Sequence, residues 1–211
     1  MLPTRKLVGH FFALLLIAAC GVAAAATDTV TLPQNCIESC VTPYGNVLGV
    51  TQEGLKSFSN CQGKCVVFDP NHENETYTGI KWQCVEFARR WLIHNRGLTF
   101  GDVDVAADIW GMSAFTRLSD QSQVPVETFS NGSKTLPRRG DLLIYAKEYL
   151  ATGHAAVVLE VDQKKGRVRV AEQNFKNQKW PGNYARSIDL VYKNGQYWVL
   201  DAYLLGWKRA H

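Results

Sequence analysis

The 211-residue chain reads as an α+β fold in which helices come first and an antiparallel sheet follows. Three observations predict it. From Cys84 onward the apolar residues Val85, Ala88, Trp91 and Leu92 recur at helical spacing, and Asn95-Arg96-Gly97 supplies a stop. After Pro137 the pattern changes to strands, at 141–146, 153–161 and 167–174. These runs are separated by turn sequences, Pro137-Arg138-Arg139-Gly140 before the first and Asp162 to Gly166 before the third.

Composition bounds the rest. A hydrophobic content of 46% with 20% charged residues is ordinary for a globular protein of one domain. The net charge of +4 comes without a basic block, so no nucleic-acid partner is expected. Nor does anything in the sequence ask for a cofactor.

Taken in order, residues 1–26 read as an export signal. Arg5 and Lys6 precede an apolar run from Phe11 to Ala19, and the tract Ala23 to Ala26 supplies a small-residue cleavage site. The run is short for a bilayer span, which needs ~20 residues. Ile17-Ala18-Ala19-Cys20 also fits a bacterial lipoprotein box, so a lipid anchor at Cys20 is the alternative to a freely periplasmic or secreted chain. Residues 27–43 form a lead-in carrying the first cysteine pair.

Cleavage after Ala26 leaves Cys36, Cys40, Cys61, Cys65 and Cys84. Export implies oxidation of paired cysteines, and an odd number leaves one thiol over. Four cysteines in two Cys-x-x-x-Cys pairs allow three pairings; the nested one, Cys36 to Cys65 and Cys40 to Cys61, is favoured. A zinc site is the rival, though structural zinc more often uses tighter spacing. Cys84 is then the free thiol. It stands where an extended entry becomes a helix, where unpaired N–H groups and the dipole favour thiolate over thiol. A buried structural cysteine is the plain alternative.

The segment Tyr44 to Val50 reads as a turn and short strand, and Asp69 to Glu75 as a polar loop. A second helix is expected over Asp102 to Phe115. The aspartates at 102, 104 and 108 lack the turn glycine and distal glutamate of a calcium loop, so no metal is expected there. Shorter strands are expected at 187–191 and 197–201. In the hairpin around Asp162 to Gly166, Glu172 shares the inward phase of Val168 and Val170. An odd-length turn then puts His154 opposite Asn174 and diagonal to Glu172. A lone strand histidine is usually a satisfied core residue. Here, however, an inward carboxylate needs a partner, and a thiolate, an imidazole and a carboxylate are the parts of a nucleophile, base and orienting group.

The run Lys81-Trp82-Gln83-Cys84-Val85-Glu86-Phe87-Ala88-Arg89-Arg90, the strand Gly153-His154-Ala155-Ala156-Val157-Val158 and Ala171-Glu172-Gln173-Asn174 resemble the cysteine, histidine-dependent amidohydrolase/peptidase (CHAP) family. The resemblance is closest to the amidase domain of glutathionylspermidine synthetase/amidase, and places the domain at 44–211. It implies a papain-like fold, its helices packed on the antiparallel sheet, with Cys84 as nucleophile, His154 as base then acid, and Glu172 orienting the imidazole. Gln83, Arg89 and Asn174 are implied as supporting or substrate-holding residues. Arg89 as a solvated helix arginine is the alternative. The implied substrate of this expected monomer is a peptide or peptide-polyamine amide, hydrolysed without any synthetase step. Export favours a peptidoglycan amidase or endopeptidase instead, and a non-catalytic binding module on the same fold is the third reading.

Overall fold

The computed structural model describes residues 31–211. The export signal and the lipidation alternative at Cys20 lie outside the described residues. Two hairpins open the fold: β1 (Val47–Val50) pairs with β2 (Lys56–Phe58), and β3 (Pro70–Glu73) with β4 (Thr76–Ile80). The helix α1 (Cys84–Arg96) follows. The remaining strands are β5 (Leu98–Thr99), β6 (Ala114–Arg117), β7 (Gln123–Ser130), β8 (Leu142–Tyr145), β9 (His154–Asp162), β10 (Arg167–Ala171), β11 (Arg186–Lys193), β12 (Gln196–Val199) and β13 (Leu204–Ala210). They form one nine-stranded sheet in the order β12-β11-β10-β9-β8-β13-β7-β6-β5.

Three expectations are corrected. Helices do not lead, because four strands precede α1, which is the single α-helix among the described residues. The polar stretch Asp69 to Glu75 is mostly strand: Asn74 and Glu75, both with positive φ, make the tight turn between β3 and β4. The second helix over Asp102 to Phe115 shrinks to a 3-10 turn at Ala106–Gly111. Val105 stays extended there, with φ −140° and ψ 159°, and its N–H is taken by the Asp108 carboxylate at 3.1 Å. Gly111 and an extended Met112 end the turn, and the chain enters β6 at Ala114.

Helix α1 starts because Gln83 is extended (φ −91°, ψ 162°) and ends because Gly97 takes the left-handed conformation at φ 59°. A second glycine matters at its other end. Gly79, at φ 140°, lets β4 lie against the first turn; a Cβ there would stand 3.0 Å from that of Glu86. Phe87, Trp91 and Leu92 pack against Leu142, Ile144, Ala155 and Val157 on one face of the sheet. Burial of each such side chain contributes roughly 1.5–3 kcal/mol. Leu143, Ala156, Val158, Val168 and Val170 fill the other face with Trp207. Strands β8 and β9 are thus covered on both sides, which explains their unbroken apolar runs.

The sulfurs of Cys36 and Cys65 are bonded at 2.04 Å and those of Cys40 and Cys61 at 2.00 Å, so none is a thiolate available to zinc. This staple ties the lead-in to the loop before β3. Cys84 is left as the free cysteine among the described residues.

Candidate active site

The site forms where the first turn of α1 meets the start of β9. Cys84 is the first helical residue, so its backbone N–H has no partner within the helix. His154 opens β9 and is buried. Its Nε2 lies 2.9 Å from Glu172 Oε2 and bonds to it, which leaves Nδ1 for the sulfur. Burial pushes the Cys84 thiol up, but the charge and hydrogen bond of His154, with the N–H groups of Ala155 and Val85, outweigh it and pull its pKa below the usual thiol value. For His154, burial alone would lower the pKa; Cys84 and Glu172 instead raise it to about 9. Both shifts run in the direction that favours a thiolate–imidazolium pair over the neutral thiol and imidazole.

Glu172 reaches His154 through a register detail. Near the turn Arg167 pairs with Asp162, one residue off the expected alignment. A bulge between Arg169 and Val170 then skips Leu159, and Ala171 pairs with Val157. The ladder ends there, and Glu172 follows two residues along from the level of His154. Burial would raise the pKa of Glu172, yet the hydrogen bond from His154 and the charge of Arg186 hold it below the ordinary carboxylate value.

Arg186 was not singled out by the sequence reading, although a signal exists. On β11 it shares a phase with the buried Ile188 and Leu190, and a charged residue in an inward phase needs partners. Its Nε donates to Glu172 Oε1 at 2.5 Å and its Nη2 to Oε2 at 3.1 Å. Its Nη1 donates to Asp201 at 2.7 Å, and Tyr145 Oη completes the cluster by donating to that same carboxylate at 2.7 Å. The guanidinium also lies 3.8 Å from the centre of the Phe175 ring.

Asn174 and Gln83 come together as well. Asn174 adopts a left-handed conformation (φ 54°), and its Nδ2 donates to Gln83 Oε1 at 2.7 Å. Gln83 Nε2 donates to the Cys65 carbonyl at 3.3 Å, so the stapled segment touches the site directly. Arg89 is not a solvated helix residue: it is 3% exposed. It donates to the carbonyls of Phe100 at 3.1 Å, Thr78 at 3.3 Å and Gly101 at 2.6 Å, and to Asp102 at 3.2 Å. Most of its donors are thus taken by the wall it braces.

Cys84 and Gln83 line a groove of about 390 Å³. Its sides are Val66 and Phe68 from the stapled loop, Ile80 and Val85 near the helix start, and Val103 and Val105 opposite. Asp102 and Asp104 stand on the same side as the two valines.

The sequence model of the CHAP domain matches residues 74–174, a span that holds Cys84, His154 and Glu172. Among curated relatives, the chain is 33% identical over 183 residues to the bifunctional glutathionylspermidine synthetase/amidase of Escherichia coli K12, covering 78% of this chain and 29% of that protein. It is 31% identical over 160 residues to the trypanothione synthetase of Crithidia fasciculata, covering 75% of this chain and 24% of that protein. The chain therefore spans less than a third of the length of these relatives.

Proposed function

We propose, on the premise that residues 74–174 are a CHAP domain, that this chain is a cysteine amidohydrolase working through Cys84, His154 and Glu172. The observation that carries the reading is the free thiol at a helix start, paired with a buried imidazole that a carboxylate holds at 2.9 Å. In the reaction the Cys84 thiolate attacks the amide carbonyl carbon and a C–S bond forms. The carbonyl oxygen becomes an oxyanion, received by the Cys84 N–H and the remaining N–H of the Gln83 amide. His154 gives its Nδ1 proton to the nitrogen, the C–N bond breaks and the amine leaves. A water then loses a proton to His154 and attacks the thioester. The acid departs and the thiolate–imidazolium pair is restored. Glu172 and Arg186 keep the imidazole in the right tautomer and orientation throughout.

The substrate we propose is a peptide amide of the glutathionylspermidine type, because the relatives that cover most of this chain include a protein named as an amidase for that conjugate. Peptidoglycan peptides are the second reading. The leader-like N-terminus and two disulfides favour it, since both fit an exported protein meeting the cell wall. No helix among the described residues is long and apolar enough to cross a membrane. Incubating the protein separately with glutathionylspermidine and with purified sacculi, then identifying products by mass spectrometry, decides between them. Release of spermidine supports the first and release of peptide or muramoyl fragments the second. No product from either, with an unreactive Cys84, would leave a binding module.

A further inference from the structure

Between Glu172 and Asn174 stands Gln173, which is 0% exposed and which the mechanism above does not use. Its side chain is fully engaged. Oε1 accepts the Phe58 N–H at 2.8 Å and an Arg90 donor at 3.4 Å. Nε2 donates to Glu86 Oε2 at 2.7 Å and to the backbone carbonyl of Gln83 at 3.3 Å. That carbonyl belongs to the peptide unit whose N–H is the Cys84 N–H. In a planar trans peptide the two groups point in opposite directions, so fixing the oxygen fixes the direction of the N–H. Donation to the oxygen also polarises the unit and strengthens its N–H as a donor.

We infer that Gln173 is a positioning residue for the oxyanion site, acting through the Gln83–Cys84 peptide; this rests on the nucleophile reading above. The Glu86–Arg90 ion pair, with Nε and Oε1 2.5 Å apart, anchors the amide from the far side. Three consecutive residues then align both halves of the site. Glu172 sets the base, Gln173 the backbone donor and Asn174 the side-chain amide of Gln83.

Two reactions of the same sulfur separate this role from a structural one. In p-nitrophenyl acetate the Cys84 thiolate attacks the carbonyl and passes through a tetrahedral oxyanion. A C–S bond forms, the ester C–O bond breaks and nitrophenolate leaves. Iodoacetamide is attacked by direct displacement of iodide, and no oxyanion forms. In Gln173→Met, a near-isostere, acylation should fall roughly 10- to 100-fold, less than the roughly 10²- to 10³-fold lost when an oxyanion donor is removed outright, because the Cys84 N–H remains but is less firmly aimed. Alkylation and its pH profile should stay at the wild-type values. Gln173→Glu provides the second variant. Buried beside Glu86, the new carboxyl is expected to stay protonated, to accept from Phe58 and to give its one proton to Glu86, leaving the Gln83 carbonyl with the Phe87 N–H of the first helical turn, 3.2 Å away, but without its side-chain donor. It should show the same selective loss even if the methionine variant misfolds. Unchanged acylation in Gln173→Glu, or acylation and alkylation falling together, would overturn the inference. Wild-type alkylation as slow as that of a free thiol would instead remove the nucleophile reading on which it rests.

Discussion

The chemistry at residue scale turns on where three protons sit. Cys84 is pulled below the usual thiol value and His154 is raised to about 9. Hydrolysis should therefore rise along the Cys84 ionisation on the acid side and fall above about pH 9, as His154 loses the proton the leaving amine needs. A pH–rate profile checks this; an optimum that tracks an ordinary thiol near ~8.5 would contradict the ion pair. The Glu172 shift bears on stability with a definite sign. Its folded pKa is depressed, so its contribution is present above its ordinary value of 4.5 and is lost as pH falls through the folded value. Replacing Cys84 by Ala should leave the fold intact and cut turnover roughly 10³-fold or more. Circular dichroism and product assays measure the two halves of that statement. At this scale the sequence was informative about Cys84, His154 and Glu172, because odd cysteine count, helix-start position and an inward carboxylate are local signals. Gln173 was silent: an amide carries no charge whose burial would demand a partner.

Elements decide how the orienting carboxylate is held. Arg186 enters from β11, which follows the nucleophile helix after six intervening strands and flanks β10 in the sheet. Replacing it by Leu leaves the buried Glu172 with His154 alone and deprives Asp201 of a partner. Breaking a buried pair in this way costs about 3–5 kcal/mol in general. We expect a loss near the lower end, since Arg186 is 21% exposed at its side chain. The hydrolysis rate should also drop roughly tenfold, equivalent to ~1.4 kcal/mol of transition-state stabilisation, through a less constrained imidazole. Urea unfolding and kcat at fixed pH test both. The strands around the site were legible from the apolar runs of β8 and β9, the alternation in β10 and the turn residues between them. The bulge at Leu159 was not, since it inserts one residue without any glycine or proline to mark it. Nor was the 3-10 turn at Ala106–Gly111, where apolar spacing mimics a helix but Val105 is held extended.

For the whole molecule, the stapled N-terminal segment is a wall of the site as well as a clamp. Its disulfides close spans of 29 and 21 residues. Replacing Cys36 and Cys65 by Ser should cost about 2–5 kcal/mol, seen as a fall of roughly 5–15 °C in Tm. Because the Cys65 carbonyl holds Gln83, hydrolysis measured well below that Tm should also decline. Activity that survives unchanged at low temperature would confine the staple to stability. What the sequence determined alone was the chemistry in reserve: one unpaired thiol at a helix start, an inward-phase acid, and strands whose apolar pattern requires cover. Periodicity and residue type carry that information because they act over a few neighbours. Only the tertiary structure decided which partners those groups meet. Arg186, Tyr145 and Asp201 converge on Glu172, and Cys65 and Gln173 converge on Gln83, from stretches far apart in the chain. Such contacts depend on strand order and register, which no local pattern encodes.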